Sequence, residues 1–355
     1  MQNTESRLFR KDAVGKLEQL SEVNLIMKLT IVIICWNDLK VISDCLGSIV
    51  NGTHSIEYEI LVSDNGSTDR SVEFIRQNYP MVRVIENHAN LGFAKGNNAG
   101  IQASTGEYVL ILNPDTIIHD GALEKWIEFA DCHPGAGAFG CRVLNPDGSY
   151  QGPARPFPTI WRGGIAALCL RPLAYLSDVF ISDTYTGWKG DTERLIDWQS
   201  GCCVMFRGEL LRGLGGFDEQ FFYHFEEVDL CLRVWKAGCS IVYAPAVTII
   251  HLGGQSVKRF PIKFEIEKCR NRYRYFYKHY GKRGARRCRH VMLTWLGIRW
   301  LGYTIRAMFT PTDMLEKRLE MYRVCLQWNK RIDPVCFVES GKEPDLITTG
   351  LTQSA

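Results

Sequence analysis

Apolar runs alternate with amphipathic stretches between residues 29 and 131, and this alternation constrains the fold more than any other feature of the sequence. The first run, LTIVIIC at Leu29–Cys35, is rich in β-branched residues and uninterrupted, as expected of a strand covered on both faces. Helical spacing follows at Leu39–Val50. The later predicted strands and helices, in chain order, are Glu59–Ser63, Asp69–Asn78, Val82–Ile85, Lys95–Ala103, Tyr108–Leu112 and Ala122–Asp131. This alternation predicts βαβ units, and therefore an α/β fold with a mainly parallel, doubly wound sheet.

Polar turns follow three of the predicted strands. Trp36-Asn37 follows the first strand, Ser63-Asp64-Asn65 ends the second, and Asn113-Pro114-Asp115 follows the strand that ends at Leu112. Ligands of open parallel sheets bind beyond the carboxyl ends of the strands. We therefore expect these turns to meet at one edge of the sheet and to form a ligand site.

Composition excludes several classes of protein. Of 355 residues, 46% are hydrophobic and 23% are charged, which is typical of a globular chain rather than a disordered one. A net charge of +3 gives no argument for a polyanionic partner. The thirteen cysteines include no CxxC pair, which favours buried thiols in a reduced, cytoplasmic compartment. No apolar run is long enough to predict a membrane span.

Changes in pattern along the chain predict its domains. Residues 1–26 are polar and charged, and we expect a flexible N-terminal extension there. Residues 27–258 form the main predicted domain, with a first half at 27–145 and a second half at 146–258. The pattern becomes irregular after Cys141, and the second half then contains a regular block at Asp197–Phe206, a helix at Glu227–Ala237, and strands at Ser240–Tyr243 and Val247–His251. Residues 259–355 are predicted to be helical.

Asp64 and Asp115 are the carboxylates placed on the expected ligand edge. Asp64 either shapes its turn or contacts the ligand, and its position on that edge favours the second interpretation. Asn113-Pro114-Asp115 is by itself an ordinary turn sequence. A hard divalent cation can nevertheless be held by one carboxylate together with substrate phosphates and water. Asp115 is therefore a candidate metal ligand.

Glycines recur at four-residue spacing in the segment NLGFAKGNNAG, at Gly92, Gly96 and Gly100. The segment matches neither GxGxxG nor a P-loop. One interpretation is close packing of a helix on the sheet. The other is a helix N-terminus at Gly92–Lys95 that faces an anionic diphosphate.

Acidic residues cluster in the segment FYHFEEVDLCLR. Asp229 and Arg233 lie four residues apart and are expected to pair along a helix. Glu226 and Glu227 follow three aromatic residues and a histidine, and desolvation there would raise a carboxyl pKa toward that of a general base. A helix dipole alone would also favour acids at this position. His251 ends a predicted strand and becomes a site candidate if it faces the same cleft as Asp115.

The segment from Lys258 to Arg289 is basic and aromatic, and the apolar stretch MLTWLGIRWLGYTIRAMF follows it. Arginines interrupt this stretch, which fits a helix at a membrane surface better than a membrane span. A solvated helical face packed on the domain is the other interpretation.

Taken together, five motifs resemble the inverting GT-A glycosyltransferases of family two, in the rhamnosyltransferase-like branch of bacteria. They are SDNGSTD, NLGFAKGNNAGI, LILNPDT, GGFDEQFFYHFEEVDLCLR and IIHLGGQS, in that order between Leu29 and Tyr280. The resemblance implies a GT-A fold, with a Rossmann-like sheet flanked by helices and a helical basic C-terminal region. It also implies that residues 27–258 are the catalytic domain, with a nucleotide-sugar half at 27–145 and an acceptor half at 146–258. The implied reaction is a single displacement with inversion at the anomeric carbon of a nucleotide sugar.

The resemblance further implies roles for particular residues. Glu227 matches the catalytic base, with Glu226 as the alternative. Asp115 matches the metal ligand, and His251 matches a histidine that reaches the metal or the diphosphate. The donor is expected to contact Asn37, Asp64, Asn65, Gly92, Lys95, Asn98 and Asn113. Trp198, Gly201 and Asp218 are expected in the sugar or acceptor pocket.

The expected reaction transfers a sugar, with dTDP-L-rhamnose as the first choice of donor and a UDP-sugar as the alternative. The expected cofactor is Mg²⁺ or Mn²⁺. The expected acceptor is a saccharide or a polyprenyl-linked saccharide used in cell-surface polysaccharide synthesis. We expect a cytoplasmic protein that can lie on the inner face of the cytoplasmic membrane. A nucleotidyltransferase and a nucleic-acid-binding protein are weaker alternatives, and no nucleic acid is expected as a partner.

Overall fold

The computed structural model describes residues 27–253 and 261–343. The predicted extension at residues 1–26 and the predicted domain boundary at 258 lie outside the described residues.

A nine-stranded sheet forms the centre of the molecule, in the order β3-β2-β1-β4-β10-β6-β11-β5, with β8 also paired to β11. The strands, with the separate β7–β9 ribbon, are β1 Leu29–Cys35, β2 Tyr58–Asp64, β3 Arg83–Glu86, β4 Tyr108–Leu112, β5 Thr116–Ile118, β6 Ala136–Leu144, β7 Ala154–Arg155, β8 Arg194–Leu195, β9 Trp198–Gln199, β10 Cys203–Arg207 and β11 Ser240–His251. The strands β3, β2, β1, β4, β6 and β11 point the same way, whereas β10, β5 and β8 run opposite. The predicted mainly parallel sheet is therefore confirmed.

Helices cover both faces of this sheet. They are α1 Leu39–Gly52, α2 Ser71–Asn78, α3 Gly92–Ala103, α4 Ala122–Asp131, α5 Ile160–Ala167, α6 Gly208–Gly213, α7 Glu226–Lys236, α8 Pro261–Phe309, α9 Asp313–Arg331 and α10 Pro334–Ser340. One hydrophobic core joins the sheet to α1, α2 and α4, and a second joins its other face to α3, α6 and α7. Both faces are buried because the strands carry apolar residues at successive positions rather than alternate ones.

The β6 strand departs from the sequence prediction, which left residues 136–144 without a strand. Its sequence, AGAFGCRVL, is rich in glycine and alanine, which have low β propensity. Packing requires these small residues, because a Cβ at Gly137 would approach Leu210 to 2.4 Å and one at Gly140 would approach Gln199 to 2.7 Å. The two strands predicted at 240–251 are one strand, β11, whose register on β6 shifts between Ala244 and Thr248.

The C-terminal region packs on the domain through a third core. This core joins Phe221, Phe225 and Val228, near the start of α7, to buried residues of α8, α9 and α10. Gly281 interrupts α8 with a φ of 68° and a ψ of −170°, which only glycine adopts easily. Within the described residues, no helix is both long and apolar enough to cross a bilayer.

Candidate active site

The register of the sheet brings the strand-end turns together. Cys35 at the end of β1 pairs with Asp64 at the end of β2, and β4 on the other side of β1 leads into Asn113–Asp115. These turns border a cavity of about 170 Å³, which we call the Asp115 cavity. Its lining includes Trp36, Asn65, Gly92, Asn113, Asp115, Tyr223 and His251.

Asp115 and His251 meet in this cavity because β5 pairs with the end of β11. Thr116 lies opposite His251 in this pairing, and the Leu252 N–H donates to the Asp115 carbonyl at 2.9 Å. The His251 Nε2 lies 3.2 Å from Asp115 Oδ1, and both side chains are largely buried. The contact puts a carboxylate oxygen and an imidazole nitrogen at one point of the cavity.

Gln151 fixes the orientation of the His251 ring. Its amide nitrogen donates to the His251 carbonyl oxygen at 2.8 Å, so its amide oxygen faces His251 Nδ1 at 3.0 Å. Nδ1 must then carry the proton, because an amide oxygen only accepts hydrogen bonds. In neutral imidazole this leaves the lone pair on Nε2, which points toward Asp115.

This pair of side chains fits a divalent cation that also takes ligands from a bound diphosphate. Among the described residues, no group of three or more His, Cys, Asp or Glu side chains is arranged to hold a metal. The two protein atoms that this geometry offers to a cation are Asp115 Oδ1 and His251 Nε2. Mg²⁺ and Mn²⁺ sites with few protein ligands are completed by substrate phosphates and water.

Asp64 is buried, and only one of its two carboxylate oxygens accepts hydrogen bonds from the described residues. Its Oδ2 accepts hydrogen bonds from the Gly66 and Ser67 N–H groups, both at 3.0 Å, whereas no hydrogen-bond partner lies near its Oδ1 among the described residues. Asn65, which follows it, lines the Asp115 cavity and donates from its side chain to the Gly92 carbonyl at 3.0 Å. Asn37 joins the two strand ends by accepting from the Thr68 N–H at 2.7 Å.

The glycines of α3 provide close packing, one of the two interpretations left open by the sequence. A Cβ at Gly96 would approach Ile34 to 2.6 Å, and one at Gly100 would approach Val32 to 2.4 Å. Gly92 also begins the helix at a φ of +81° and lines the Asp115 cavity, so the second interpretation remains a prediction.

Four residues predicted to bind the donor are outside the lining of both cavities, namely Asn37, Asp64, Lys95 and Asn98. Lys95 is exposed and belongs to the lining of neither the Asp115 cavity nor the second cavity described below. Asn98 is buried, and its side chain accepts from the Phe217 N–H and donates to the Phe217 carbonyl, at 2.8 and 2.9 Å. These contacts tie α3 to the segment before α7.

Glu226 and Glu227 begin α7 in an unusual backbone setting. His224 and Phe225, which precede them, have φ values of 67° and 74°, a conformation that side-chain-bearing residues rarely adopt. Both carboxylates are buried, and the Oε2 atom of each has no hydrogen-bond partner among the described residues. The sharp turn thus holds two carboxyl groups out of water without satisfying all their oxygens.

The two carboxyl groups differ in their electrostatic surroundings. Desolvation, followed by the charge of Glu227, raises the pKa of Glu226 well above its ordinary value. Desolvation also raises the pKa of Glu227, but hydrogen bonds from the backbone and the positive charge of Arg155 oppose the rise. Both carboxyl groups therefore have a raised pKa, and Arg155 is the cation that favours the ionised form of Glu227.

Glu227 lines a second cavity of about 420 Å³, which we call the Glu227 cavity. Trp198 also lines it and donates from its indole to the Pro156 carbonyl at 2.9 Å. Gly201 packs against Glu227, since a Cβ at Gly201 would be 3.6 Å from the Glu227 Cβ. Asp218 is outside the described lining and pairs with Lys278 at 2.6 Å.

The two cavities adjoin each other. Phe222 and Tyr223 line the Asp115 cavity, whereas His224, Phe225 and Glu227 line the Glu227 cavity. Gln151 lines the Glu227 cavity and at the same time bonds to His251. A reacting bond could therefore lie between a ligand in one cavity and a carboxylate in the other.

Sequence reasoning missed Gln151, Arg155, His224 and Arg272, all of which line the Glu227 cavity. Gln151 and Arg155 belong to a proline-rich stretch without periodicity, so neither carried a signal. Arg272 lies in the basic segment that the sequence analysis singled out, but its position in that segment did not distinguish it from its neighbours.

Comparisons with known proteins agree with this geometry. The family model described as "Glycosyl transferase family 2" matches residues 30–185. An N-acetylglucosaminyl-diphospho-decaprenol L-rhamnosyltransferase of Mycobacterium tuberculosis is 34% identical over 214 residues, covering 57% of this chain and 69% of the relative. The rhamnosyltransferase WbbL of Escherichia coli is 26% identical over 212 residues, covering 57% of this chain and 76% of WbbL.

A solved structure is similar along most of the chain. The mannosyltransferase PcManGT from Pyrobaculum calidifontis, in complex with GDP-Man and Mn²⁺, superposes with a TM-score of 0.52 at 15% identity. The match covers 89% of this chain and 88% of that one, and it supports the GT-A fold. The predicted resemblance is confirmed: the chain belongs to glycosyl transferase family 2, is a glycosyltransferase, and has rhamnosyltransferases among its relatives.

Proposed function

We propose that this glycosyltransferase is metal-dependent and inverting, and that it transfers L-rhamnose from dTDP-L-rhamnose to a lipid-linked saccharide. The observation that carries the proposal is the adjacency of the two cavities, with the Asp115–His251 pair in one and the ionisable Glu227 in the other. The choice of sugar rests on the rhamnosyltransferase relatives, and a UDP-sugar is the alternative donor.

The Asp115 cavity is the proposed donor site. Asp64 would receive hydrogen bonds from the nucleoside through its unpartnered Oδ1. Asn65, Gly92 and Asn113 line the cavity where the diphosphate would lie, and Asn37 supports it by joining the ends of β1 and β2. Lys95 and Asn98 remain predicted donor residues of the family motif.

Asp115 and His251 are the proposed ligands of Mg²⁺ or Mn²⁺. The cation would neutralise charge that builds on the departing nucleoside diphosphate. An imidazole ligand favours Mn²⁺ over Mg²⁺. Gln151 is a positioning residue here, because it holds the His251 ring with Nε2 toward Asp115.

Glu227 is the proposed general base. Its carboxylate would remove the proton from an acceptor hydroxyl while the hydroxyl oxygen attacks the anomeric carbon. The bond from that carbon to the diphosphate oxygen breaks on the opposite face, so configuration inverts. Trp198 and Gly201 would border the acceptor sugar, whereas Asp218 would act indirectly through Lys278.

The acceptor is proposed to be a polyprenyl-diphosphate-linked N-acetylglucosamine at the inner face of the cytoplasmic membrane. The name of the mycobacterial relative supports this class of acceptor. Exposed apolar residues of α8 support contact with a membrane surface, among them Leu301, Ile305 and Phe309, which alternate with Arg299 and Arg306. The C-terminal region, predicted at 259–355 and helical where the structure describes it, is proposed as the membrane-associated part.

The direct test is transfer of rhamnose from dTDP-L-rhamnose to a short polyprenyl-diphosphate N-acetylglucosamine, with and without Mn²⁺. Product with an inverted anomeric configuration and a requirement for the metal is the expected result. Full transfer after chelation would contradict the metal assignment. Release of pyrophosphate from a nucleoside triphosphate, without sugar transfer, would favour a nucleotidyltransferase instead.

A further inference from the structure

Positive charge is concentrated in the wall of the Glu227 cavity. Four basic side chains line it, namely Arg155, Arg162, Lys268 and Arg272. Arg162 is neutralised by Asp197 at 3.1 Å, and Lys268 has only a loose pair with Glu265 at 3.6 Å. Within the described residues, Arg155 and Arg272 have no carboxylate in ion-pair contact. Three acidic side chains, Asp183, Glu227 and Glu265, also line the cavity, but within the described residues none of them forms an ion pair with Arg155 or Arg272.

These cations surround one imidazole. Desolvation, followed by the charges of Lys268, Arg155 and Arg272, lowers the pKa of His224 to about 3. His224 is thus neutral at physiological pH, and its positive φ holds it in the wall beside Glu227. Uncompensated cations held together with a neutral hydrogen-bond donor form a binding site for an anion with several oxygens.

The two arginines are held in place by contacts that leave their charge available. The Arg155 guanidinium lies 5.9 Å from the Trp198 ring centroid, and that of Arg272 lies 5.5 Å from the Phe225 ring. An aromatic face orients a guanidinium without using up its N–H groups in ion pairs. Both arginines could therefore present N–H groups to a ligand.

Another part of the cavity wall is apolar and comes from two packed helices. Ile160 and Ala166 of α5 face Val291, Met292 and Trp295 of α8. The helices approach closely, because a Cβ at Gly163 would lie 3.0 Å from Val291. A cavity of about 420 Å³ with one cationic and one apolar wall suits an amphiphilic ligand with an anionic head.

The apolar face of α8 continues out of the cavity. Val291, Trp295, Ile298, Ile305 and Phe309 recur at helical spacing, and the last three become increasingly exposed, at 38%, 48% and 79%. A hydrocarbon chain that leaves the cavity along α8 would therefore stay on apolar surface until it reached the exposed end of the helix.

We propose that Arg155, Lys268 and Arg272 bind the diphosphate of an isoprenoid-diphosphate-linked acceptor, and that the α5–α8 wall holds the first isoprene units. The sugar joined to that diphosphate then lies beside Glu227. This inference rests on the proposed function, because it assigns the Glu227 cavity to the acceptor. It gives the lipid diphosphate a site separate from that of the donor diphosphate.

The test measures binding by isothermal titration calorimetry to the full chain, in buffer without divalent metal. The probes are farnesyl diphosphate, inorganic pyrophosphate and farnesol. We expect farnesyl diphosphate to bind more tightly than either other probe, because only it uses both walls. Arg272→Gln and Arg155→Gln should each weaken its binding about 10-fold. Arg287→Gln, an exposed arginine of the same helix outside the cavity lining, should leave it unchanged.

The variant Val291→Trp distinguishes the contribution of the apolar wall to binding from that of the cations. It should weaken farnesyl diphosphate binding and leave pyrophosphate binding unchanged. Equal binding of farnesyl diphosphate to the wild type and to both arginine variants, with melting temperatures preserved, would overturn the proposal. Pyrophosphate binding as tight as that of farnesyl diphosphate would overturn its lipid half and indicate a site for free phosphates.

Transfer assays keep this proposal distinct from the function on which it rests. If rhamnose transfer occurs but the arginine variants keep the wild-type KM for the lipid acceptor, the diphosphate site is refuted and the function stands. If farnesyl diphosphate binds as expected but no nucleotide sugar is used, the proposed function fails and the binding site stands.

Discussion

The Asp115 cavity and the Glu227 cavity lie on either side of the segment Phe222–Glu227, yet they are built differently. Much of the Asp115 cavity comes from turns at the ends of adjacent strands, whose positions follow from the sheet register. The Glu227 cavity is enclosed by a proline-rich stretch, the start of α7 and one face of α8, which only tertiary packing brings together. Short sequence motifs therefore predicted the polar residues of the Asp115 cavity, whereas they did not predict the basic residues of the Glu227 cavity.

The largest effect is expected at the carboxylate where the two cavities meet. Glu227→Gln keeps the shape of the side chain but removes the base, and kcat should fall about 10²- to 10⁴-fold. Glu226→Gln is the matched control, and its effect should be much smaller because Glu227, and not Glu226, is among the described residues that line the Glu227 cavity. Donor affinity, measured by calorimetry, should be the same in both variants. The opposite ranking of kcat would move the base to Glu226.

The second-largest effect is expected at Asp115, the proposed metal ligand. Asp115→Ala should lower kcat/KM about 100-fold and remove the response to Mn²⁺, because a single carboxylate supplies the charged protein ligand. Asp120→Ala, an exposed carboxylate a few residues away that pairs with His54, is the control and should behave as wild type.

Metal titration of the wild type gives a second measurement for Asp115. With Asp115 and His251 as the proposed protein ligands, Mn²⁺ should bind weakly to the free enzyme and tightly once a nucleoside diphosphate is present. Tight binding by the free enzyme would show that the cavity holds the cation without the donor.

Gln151 tests whether the two cavities are coupled. Gln151→Leu should weaken Mn²⁺ binding about 10-fold in the presence of a nucleoside diphosphate, because the His251 ring loses its orientation. Electron paramagnetic resonance of Mn²⁺ measures this without an activity assay. Asn145→Leu removes an amide from the nearby exposed turn and should have no effect. Unchanged affinity in Gln151→Leu would mean that the cavities act independently.

The smallest effect on kcat is expected at Asp229. Substitution of this residue should instead lower the stability of the fold. This buried carboxylate joins α7 to α8 through Lys278 at 2.7 Å and His279 at 2.8 Å, and it also pairs with Arg233 at 2.8 Å. Burial alone would raise its pKa, but the hydrogen bonds from His279 and Lys278 and the charge of Arg233 lower it to about 2.

A lowered pKa in the folded state has a definite sign for stability. The contribution of Asp229 is present above its ordinary pKa of 3.8 and is lost as the pH falls toward about 2. Its size is about 2 to 3 kcal/mol, because lowering a pKa from 3.8 to about 2 stabilises the folded state by about 1.4 kcal/mol for each pH unit. Asp229→Asn should lower the free energy of unfolding at pH 7 by at least that amount and flatten its dependence between these pH values.

Glu320→Gln is the control for Asp229, because its pair with Arg323 is partly exposed and should contribute less than about 1 kcal/mol. Denaturant titrations at pH 7 and pH 3 provide the measurement. An Asp229→Asn protein as stable as wild type at pH 7 would show that α7 and α8 are held together by apolar packing alone.

Several parts of the fold and candidate site followed from the sequence. The strands at Leu29–Cys35 and Tyr108–Leu112 were predicted with their observed bounds, because apolar β-branched runs have few alternatives. The meeting of Asp115 with His251 was predicted only through the family resemblance, since the two residues are far apart in the chain. The β6 strand was missed because its small residues are selected by close packing rather than by β propensity.

The sequence by itself determined the doubly wound sheet, the edge on which polar turns gather, and the family, because these depend on local periodicity and on short motifs. Only the tertiary structure decided that burial raises the pKa of both carboxyls at 226–227, how Gln151 orients His251, and that Arg155 and Arg272 share one cavity. Ionisation depends on desolvation and on charges distant in sequence, and a cavity depends on which helices pack together. Neither property produces a periodic pattern in the sequence, so neither can be predicted from it.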